Sequence, residues 1–279
     1  MKVSATDLDF LSGFLKKNSG MIITPEKAYL VEARLGKLAR DEGHDSLTPL
    51  LSKLRRRDTQ LEQQVIEAMT VNETSFFRDN VPFDALVDIA LPEMIEARRA
   101  EKHLRIWCAT SSTGQEPYTV AILLREKFPE LDSWRIDFWA TDLSTDVLDK
   151  ARGGEYSQLE VNRGVPTMML VKHFERTPTG WRVNEKIRKM VDFRRQNLLE
   201  DFAMTFRDLD LLLMRNVLIY FDVETKRSIL GRARSRMAPH GYLLLGGAET
   251  TMNVDDEFER IKGAKCSMYR LKNGRRSAA

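Results

Sequence analysis

HLRIWCATSSTGQEPYTVAILLREKF, residues 103–128, decides the fold. HLRIWCA is a short apolar run of strand type, Ser111 to Gly114 are small turn residues, and EPYTVAILLREKF carries the denser apolar content of a buried helix. Strand, small-residue turn and helix in immediate succession open a β-α-β unit. In such a unit the turn lets a ligand approach the backbone, and the N–H groups at the helix start face that ligand. This predicts a nucleotide-type pocket at Ser111–Glu116, with plain topology as the competing account of the turn. Gly114 is the only glycine between His103 and Gly153, so the G-x-G-x-x-G pyrophosphate fingerprint is absent. A dinucleotide, and with it a nicotinamide-linked oxidoreductase, is disfavoured.

Downstream, the pattern repeats. RIDFWATD (135–142) reads as a strand and STDVLDKARGG as a helix, then VDFRRQNL, LDLLLMRNVLIYF and GYLLLGGA as further strands. The continuously apolar second of these predicts a strand covered on both faces. Together they predict an α/β fold with a doubly wound, mostly parallel sheet. HFERTPTGWRVNEKI, broken at Thr177-Pro178-Thr179-Gly180, reads as a small antiparallel hairpin inserted near 172–190. The polar tail KNGRRSAA is expected to fray.

Upstream, residues 4–70 hold only helical periodicities, which predicts a small all-helical N-terminal domain over 1–70. Thr24-Pro25 has the form of a helix start, and that helix is expected to end near Gly43. On it Val31, Leu35 and Leu38 share one face at about 100° per residue, which leaves Arg34, Lys37 and Arg40 on a basic opposite face. NETSFFRDN and the helix VPFDALVDIALPEMIEARRA fill a linker and lid segment over 71–102, ahead of the α/β domain at 103–279.

Three further groups of residues stand where chemistry is plausible in such a fold. Asp142 ends a strand where α/β folds hydrogen-bond a ribose, although helix capping by Asp142 or Ser144 competes. Arg215, Asn216 and Tyr220 follow the most apolar run, with loop tethering and packing as competing roles. Asn72, Thr74 and Arg78 surround the pair Phe76-Phe77, either as a lid or as a linker whose aromatics are core. His44, His103, His173, His240, Cys108 and Cys266 show no ligand spacing, so no metal is expected and the cysteines read as buried thiols of a cytoplasmic protein. With Lys+Arg 44 against Asp+Glu 41, the net charge of +3 argues against general nucleic-acid binding. No run approaches the length of a membrane span, and MKVSATDLDF lacks the form of a signal peptide.

Taken in order, NETSFFR, WCATSSTGQEPYTVA, ATDLS, the Asn197-Leu198-Leu199 triplet and RNVLIYF resemble the CheR family of chemoreceptor glutamate methyltransferases over nearly the whole chain. The resemblance implies a class I methyltransferase-like fold and an S-adenosylmethionine-dependent enzyme, with S-adenosylhomocysteine as product. Its substrates would be glutamates on the cytoplasmic helices of bacterial chemoreceptors. By motif match it implies cofactor contacts from Asn72, Thr74, Arg78, Glu116, Asp142, Asn197, Leu198, Arg215 and Asn216, and a catalytic pair of Arg78 and Tyr220. It also gives the face of Arg34, Lys37 and Arg40 a role in docking acidic receptor helices. Two departures stand out. Gln115 replaces a second glutamate found in some relatives. The hairpin loop is shorter than in members that bind a receptor's C-terminal pentapeptide, so tail binding is not expected. A module that kept the fold and lost catalysis is the other alternative, which the filled pocket positions disfavour.

Overall fold

The four amphipathic segments before Val71 fold as helices α1 (Ala5–Ser19), α2 (Ala28–Asp41), α3 (Leu47–Arg55) and α4 (Thr59–Met69). Their apolar stripes supply a core that includes Leu11, Leu15, Val31, Leu35, Leu50, Leu54 and Val65, all nearly free of solvent contact. Local chemistry sets the ends. Ser4 Oγ accepts the Asp7 N–H at the start of α1, and Gly20 closes it at φ 73°. Thr24-Pro25 opens a 3₁₀ turn, Pro25–Lys27, that leads into α2. The computed structural model describes residues 1–272, so all of the polar tail but Lys272 lies outside the described residues. These residues divide into two units, Met1–Val71 with Tyr220–Thr225, and Asn72–Ile219 with the chain from Lys226 on.

The second unit begins with the helix expected over VPFDALVDIALPEMIEARRA. It consists of α5 (Val81–Ala85), a π-helical turn (Leu86–Ala90) and α6 (Leu91–Ala97). Pro92 lacks an N–H to continue the α ladder, and the widened turn in which Leu91 N–H reaches Leu86 O accommodates it. There follow β1 (His103–Cys108), α7 (Gln115–Lys127), β2 (Arg135–Asp142), α8 (Thr145–Gly153), β3 (Glu155–Tyr156), α9 (Gln158–Asn162), α10 (Thr167–His173), β4 (Phe174–Thr177), β5 (Gly180–Val183), α11 (Glu185–Arg188), β6 (Asp192–Arg195), β7 (Leu209–Met214), α12 (Val223–Arg234), β8 (Met237–Leu245), β9 (Phe258–Arg260) and β10 (Met268–Leu271).

Seven strands form one sheet in the order β6-β2-β1-β7-β8-β10-β9. The first five are parallel, and β10 is antiparallel to both β8 and β9. The chain therefore moves outward from β1 through β2 to β6, then crosses back to lay β7 on the other side of β1. The order reverses between β1 and β7, where α/β sheets open a crevice at their carboxyl ends. Both faces are covered. Leu104, Ile106 and Cys108 of β1 join the main core on one side. On the other, Trp107 stacks on Phe206 at 4.6 Å and meets Phe202 edge-on at 4.8 Å.

The doubly wound, mostly parallel sheet and the antiparallel insertion agree with expectation, with three differences of detail. The inserted sheet has three strands, β3-β5-β4, and starts at Glu155, ahead of the 172–190 window, because the two-residue strand β3 carries no periodicity to read. The antiparallel pair β9 and β10 is also short, at three and four residues. LDLLLMRNVLIYF is not one strand: β7 ends at Met214, Arg215 turns inward, and Leu218–Tyr220 is a 3₁₀ turn. Tyr220 thus stands beyond the strand and is grouped with the helical unit, where its carbonyl accepts the Ile22 N–H at 3.2 Å.

Candidate functional site

The parallel register aligns the strand ends, with Cys108 beside Ala140 and Leu213, Asp142 beside Arg195, and Met214 beside Leu245. The segments leaving these ends are therefore neighbours. The turn after β1 is held by Ser111 N–H on Thr141 O (2.8 Å) and by Gly114 N–H on Ser111 O (2.9 Å). Gly114 sits at φ 95°, and a Cβ there would come within 2.9 Å of Tyr156 Oη and 3.0 Å of Ala151 Cβ. Both backbone conformation and space require glycine at this position.

Asp142 is half-buried and bridges two strands' turns. One oxygen accepts Ser112 N–H (2.8 Å) and the other accepts Ser144 N–H (3.2 Å). Burial raises its pKa, against the pull of these backbone donors. The capping contact weighed in the sequence is present, and the same side chain also ties the β2 end to the β1 turn. Gln196 N–H donates to Asp142 O (3.0 Å), which brings the buried Asn197-Leu198 pair to the same edge.

From the first turn of α7, the Glu116 carboxylate accepts Arg215 Nη1 at 2.5 Å and the Cys108 thiol at 3.5 Å. Arg215 is buried and also meets Asp79 at 2.9 Å, with Phe83 beneath its guanidinium at 5.3 Å. Burial opposes the arginine's charge, but Glu116 and Asp79 outweigh it and the net shift favours the cation. Burial, reinforced by the Glu116 charge, pushes the Cys108 thiol well above the usual range. Cys108 and Cys266 are both buried and unpaired.

NETSFFRDN is bent into a cover for this edge. Asn72 O accepts Ser112 Oγ (2.8 Å), Phe77 N–H donates to Thr119 Oγ1 (3.1 Å), and Arg78 O receives a long contact from Arg215 Nη2 (3.4 Å). Phe76 and Phe77 are core residues, Phe76 packing edge-on against Tyr156 (4.9 Å) and Phe174 (5.4 Å). Thr74 and Arg78 are half-buried, and Arg78 Nη1 donates to Glu73 O at 2.9 Å. Of the ten non-glycine residues with positive φ among the described residues, Phe77, Asp79, Asn80, Ser112 and Asn216 lie in these segments. Left-handed backbone at such residues costs about 1–3 kcal/mol each and persists only where surroundings enforce it.

Thus Asn72, Thr74, Arg78, Glu116, Asp142, Asn197, Leu198, Arg215 and Asn216 all stand on segments leaving the carboxyl edge of the sheet or covering it. Tyr220, Arg34, Lys37 and Arg40 belong to the helical unit. The basic face there is smaller than the expected trio of Arg34, Lys37 and Arg40. Arg34 is half-buried, and its Nη1 donates to Met69 O (2.6 Å) and Thr70 O (2.9 Å), capping α4, so only Lys37 and Arg40 are exposed. Sequence reasoning missed Asp79 and Glu249. The buried Glu249 carboxylate accepts backbone N–H groups of Asn216, Val217, Leu218 and Gly246. The logic that singled out Asp142, an acid closing an apolar strand, applies equally to GYLLLGGA followed by Glu249.

The site suits a polar ligand on one further observation. Ser111 Oγ and Arg215 Nε are buried without a hydrogen-bond partner among the described residues, and unpartnered buried polar atoms are costly unless a ligand meets them. No group of three or more His, Cys, Asp or Glu side chains among the described residues could hold a metal ion.

A family model described as the CheR methyltransferase SAM-binding domain matches residues 72–266, and one described as the CheR all-alpha domain matches residues 6–70. The chain belongs to the CheR methyltransferase family. Chemotaxis protein methyltransferase 1 of Pseudomonas aeruginosa is 37% identical over 277 residues, covering 98% of this chain and 100% of that protein. A chemotaxis protein methyltransferase of Vibrio cholerae is 37% identical over 93% of this chain and 94% of its own length. One of Borreliella burgdorferi is 29% identical over 90% of each. The two family matches meet where the first unit gives way to the second, at Val71 and Asn72, so the second unit is the SAM-binding methyltransferase domain. No helix among the described residues is long and apolar enough to cross a membrane.

Proposed function

We propose that the protein transfers a methyl group from S-adenosylmethionine to side-chain carboxylates of glutamates on the cytoplasmic helices of bacterial chemoreceptors, forming glutamyl methyl esters. It would act in the cytoplasm and need no metal. The observation that carries the reading is the Glu116–Arg215 pair beside the Ser111–Gly114 turn and Asp142, one charged and polar edge built from three strand ends. Names of the relatives, chemotaxis protein methyltransferases at 37% identity over nearly the full chain, support the substrate class.

Asp142 would hold the ribose and Glu116 the ammonium end of the methionine part. Asn72, Thr74, Asn197, Leu198, Arg215 and Asn216 would complete the pocket. When bound, the cofactor supplies an electrophilic methyl group on a sulfonium. A glutamate with an ordinary pKa of about 4.3 is already a carboxylate at neutral pH, so the protein needs no general base. Its task is to orient the acceptor oxygen and exclude water. Arg78 would pair with the acceptor carboxylate, and Tyr220 would orient it. Lys37 and Arg40 would attract the acidic receptor helix. The hairpin loop Pro178-Thr179 is too short for the pentapeptide-binding form of the β-subdomain, so the receptor tail would not be held there. Replacing the accepting glutamates of a receptor fragment by alanine tests the substrate assignment: methylation should disappear with them, and label persisting on such a fragment would refute it.

A further inference from the structure

Glu249 follows the last parallel strand, β8, and is 5% exposed. Its Oε2 accepts N–H groups from Gly246 (2.6 Å) and Asn216 (2.8 Å), while Oε1 accepts those of Leu218 (2.6 Å), Val217 (2.8 Å) and, more distantly, Ile219 (3.4 Å). A carboxylate has about four lone-pair sites, so this one is fully engaged by backbone. Successive N–H groups turned inward form an anion-binding concavity, and here the anion belongs to the chain itself.

Three features make this a device for the site rather than a cap of the 3₁₀ turn alone. First, the held segment begins at Asn216, whose backbone is left-handed at φ 59° and whose N–H is held by Glu249 Oε2. Second, Gly246 leaves room for the contact: a Cβ there would lie 2.7 Å from both Asn216 Nδ2 and Glu249 Oε2, and 2.8 Å from Asn216 N. Third, the segment is continuous with Arg215, whose guanidinium runs back to Glu116. The carboxylate therefore fixes where the chain leaves β7, and with it how Asn216 and Arg215 face the pocket.

We infer that Glu249 is a positioning residue of the cofactor pocket, acting through Asn216 and Arg215 without touching the cofactor. This rests on the reading of that pocket as the S-adenosylmethionine site. Glutamine in its place keeps the shape but must turn its NH₂ toward one of the two sets of N–H groups, so at least two backbone donors would face a donor.

The test uses the full chain and two variants, Glu249→Gln and Gly246→Ala, which disturb the same contact from opposite sides. Calorimetric titration with S-adenosylhomocysteine is combined with hydrogen exchange over residues 216–219 and a melting curve. The expected result for each folded variant is faster exchange confined to 216–219 and affinity weakened about tenfold or more, the usual size when a residue that orients a binding group is lost. A carboxylate with only a structural role would lower the melting temperature and leave the affinity of the folded protein unchanged, and that result overturns the inference. If neither variant folds, the carboxylate holds the domain together and the inference fails as well. If the native chain itself does not bind S-adenosylhomocysteine, the reading of the pocket falls, and the inference with it.

Discussion

Arg215 Nη1 lies 2.5 Å from Glu116 Oε2, joining the end of β7 to the first turn of α7 with side chains 1% and 10% exposed. Taking both charges out of water is expensive, so the pair contributes less than its Coulomb attraction implies, but removing one partner strands the other. Glu116→Gln should therefore destabilise the α/β unit by about 3 kcal/mol, the low end for a broken buried pair because Asp79 still faces Arg215. The same change should abolish measurable S-adenosylhomocysteine binding. Denaturant unfolding and calorimetry check the two effects, and an unchanged unfolding midpoint would show that the pair holds nothing.

Arg78 is half-buried with one contact to Glu73 O, so it is not built into the core as Arg215 is. Arg78→Ala should lower turnover by at least 100-fold, on the order expected for loss of a group that aligns the acceptor, and weaken cofactor binding far less. Initial rates and calorimetry separate these, and equal losses in both would contradict the assigned role.

On the helical unit the three basic residues should behave differently. Arg34→Ala removes the cap of α4 and should lower the melting temperature by a few degrees, corresponding to about 1 kcal/mol. Lys37→Glu and Arg40→Glu touch only exposed side chains and should raise KM for a receptor fragment, more so at low salt, with no change in melting. An unchanged KM in the double charge reversal would remove docking from this helix.

The Cys108 thiol is fully buried beside Glu116 and its pKa is raised by burial first and by that carboxylate second. In the folded protein it should stay protonated and unreactive toward iodoacetamide at pH 9. Because the unfolded thiol ionises near pH 8.5, its contribution is fully present below that pH and is lost as the pH rises above it. Stability of the native chain should therefore fall more steeply above about pH 8.5 than that of Cys108→Ala. Parallel pH dependences would show that the thiol is not so perturbed.

The sheet was legible where side-chain pattern and burial coincide. HLRIWCA, RIDFWATD and the turn at Gly114 could be read because strand, turn and helix each carry a local signature. Asp142 could be read because an acid closing an apolar strand is out of place unless it serves something. What escaped depends on contacts between distant residues. Nothing in LDLLLMRNVLIYF announces that its backbone breaks after Met214, since the N–H groups beyond the break are met by Glu249, more than thirty residues later. At about 100° per residue Arg34 falls only about 40° from Leu38, at the border of the apolar face and not opposite it, and there its guanidinium reaches Met69 O and Thr70 O. Strands β3 and β9 are too short to show alternation at all.

The account stands most directly on what becomes of the methyl group. Purified protein is incubated with methyl-labelled S-adenosylmethionine and a chemoreceptor cytoplasmic fragment, and the labelled fragment is then exposed to mild base. The predicted result is label on the receptor fragment that base releases as methanol, the mark of a glutamyl methyl ester, with transfer by Arg78→Ala reduced by about 100-fold or more under the same conditions. Label that resists base, or no transfer to any receptor fragment by a protein that binds S-adenosylhomocysteine, would contradict it.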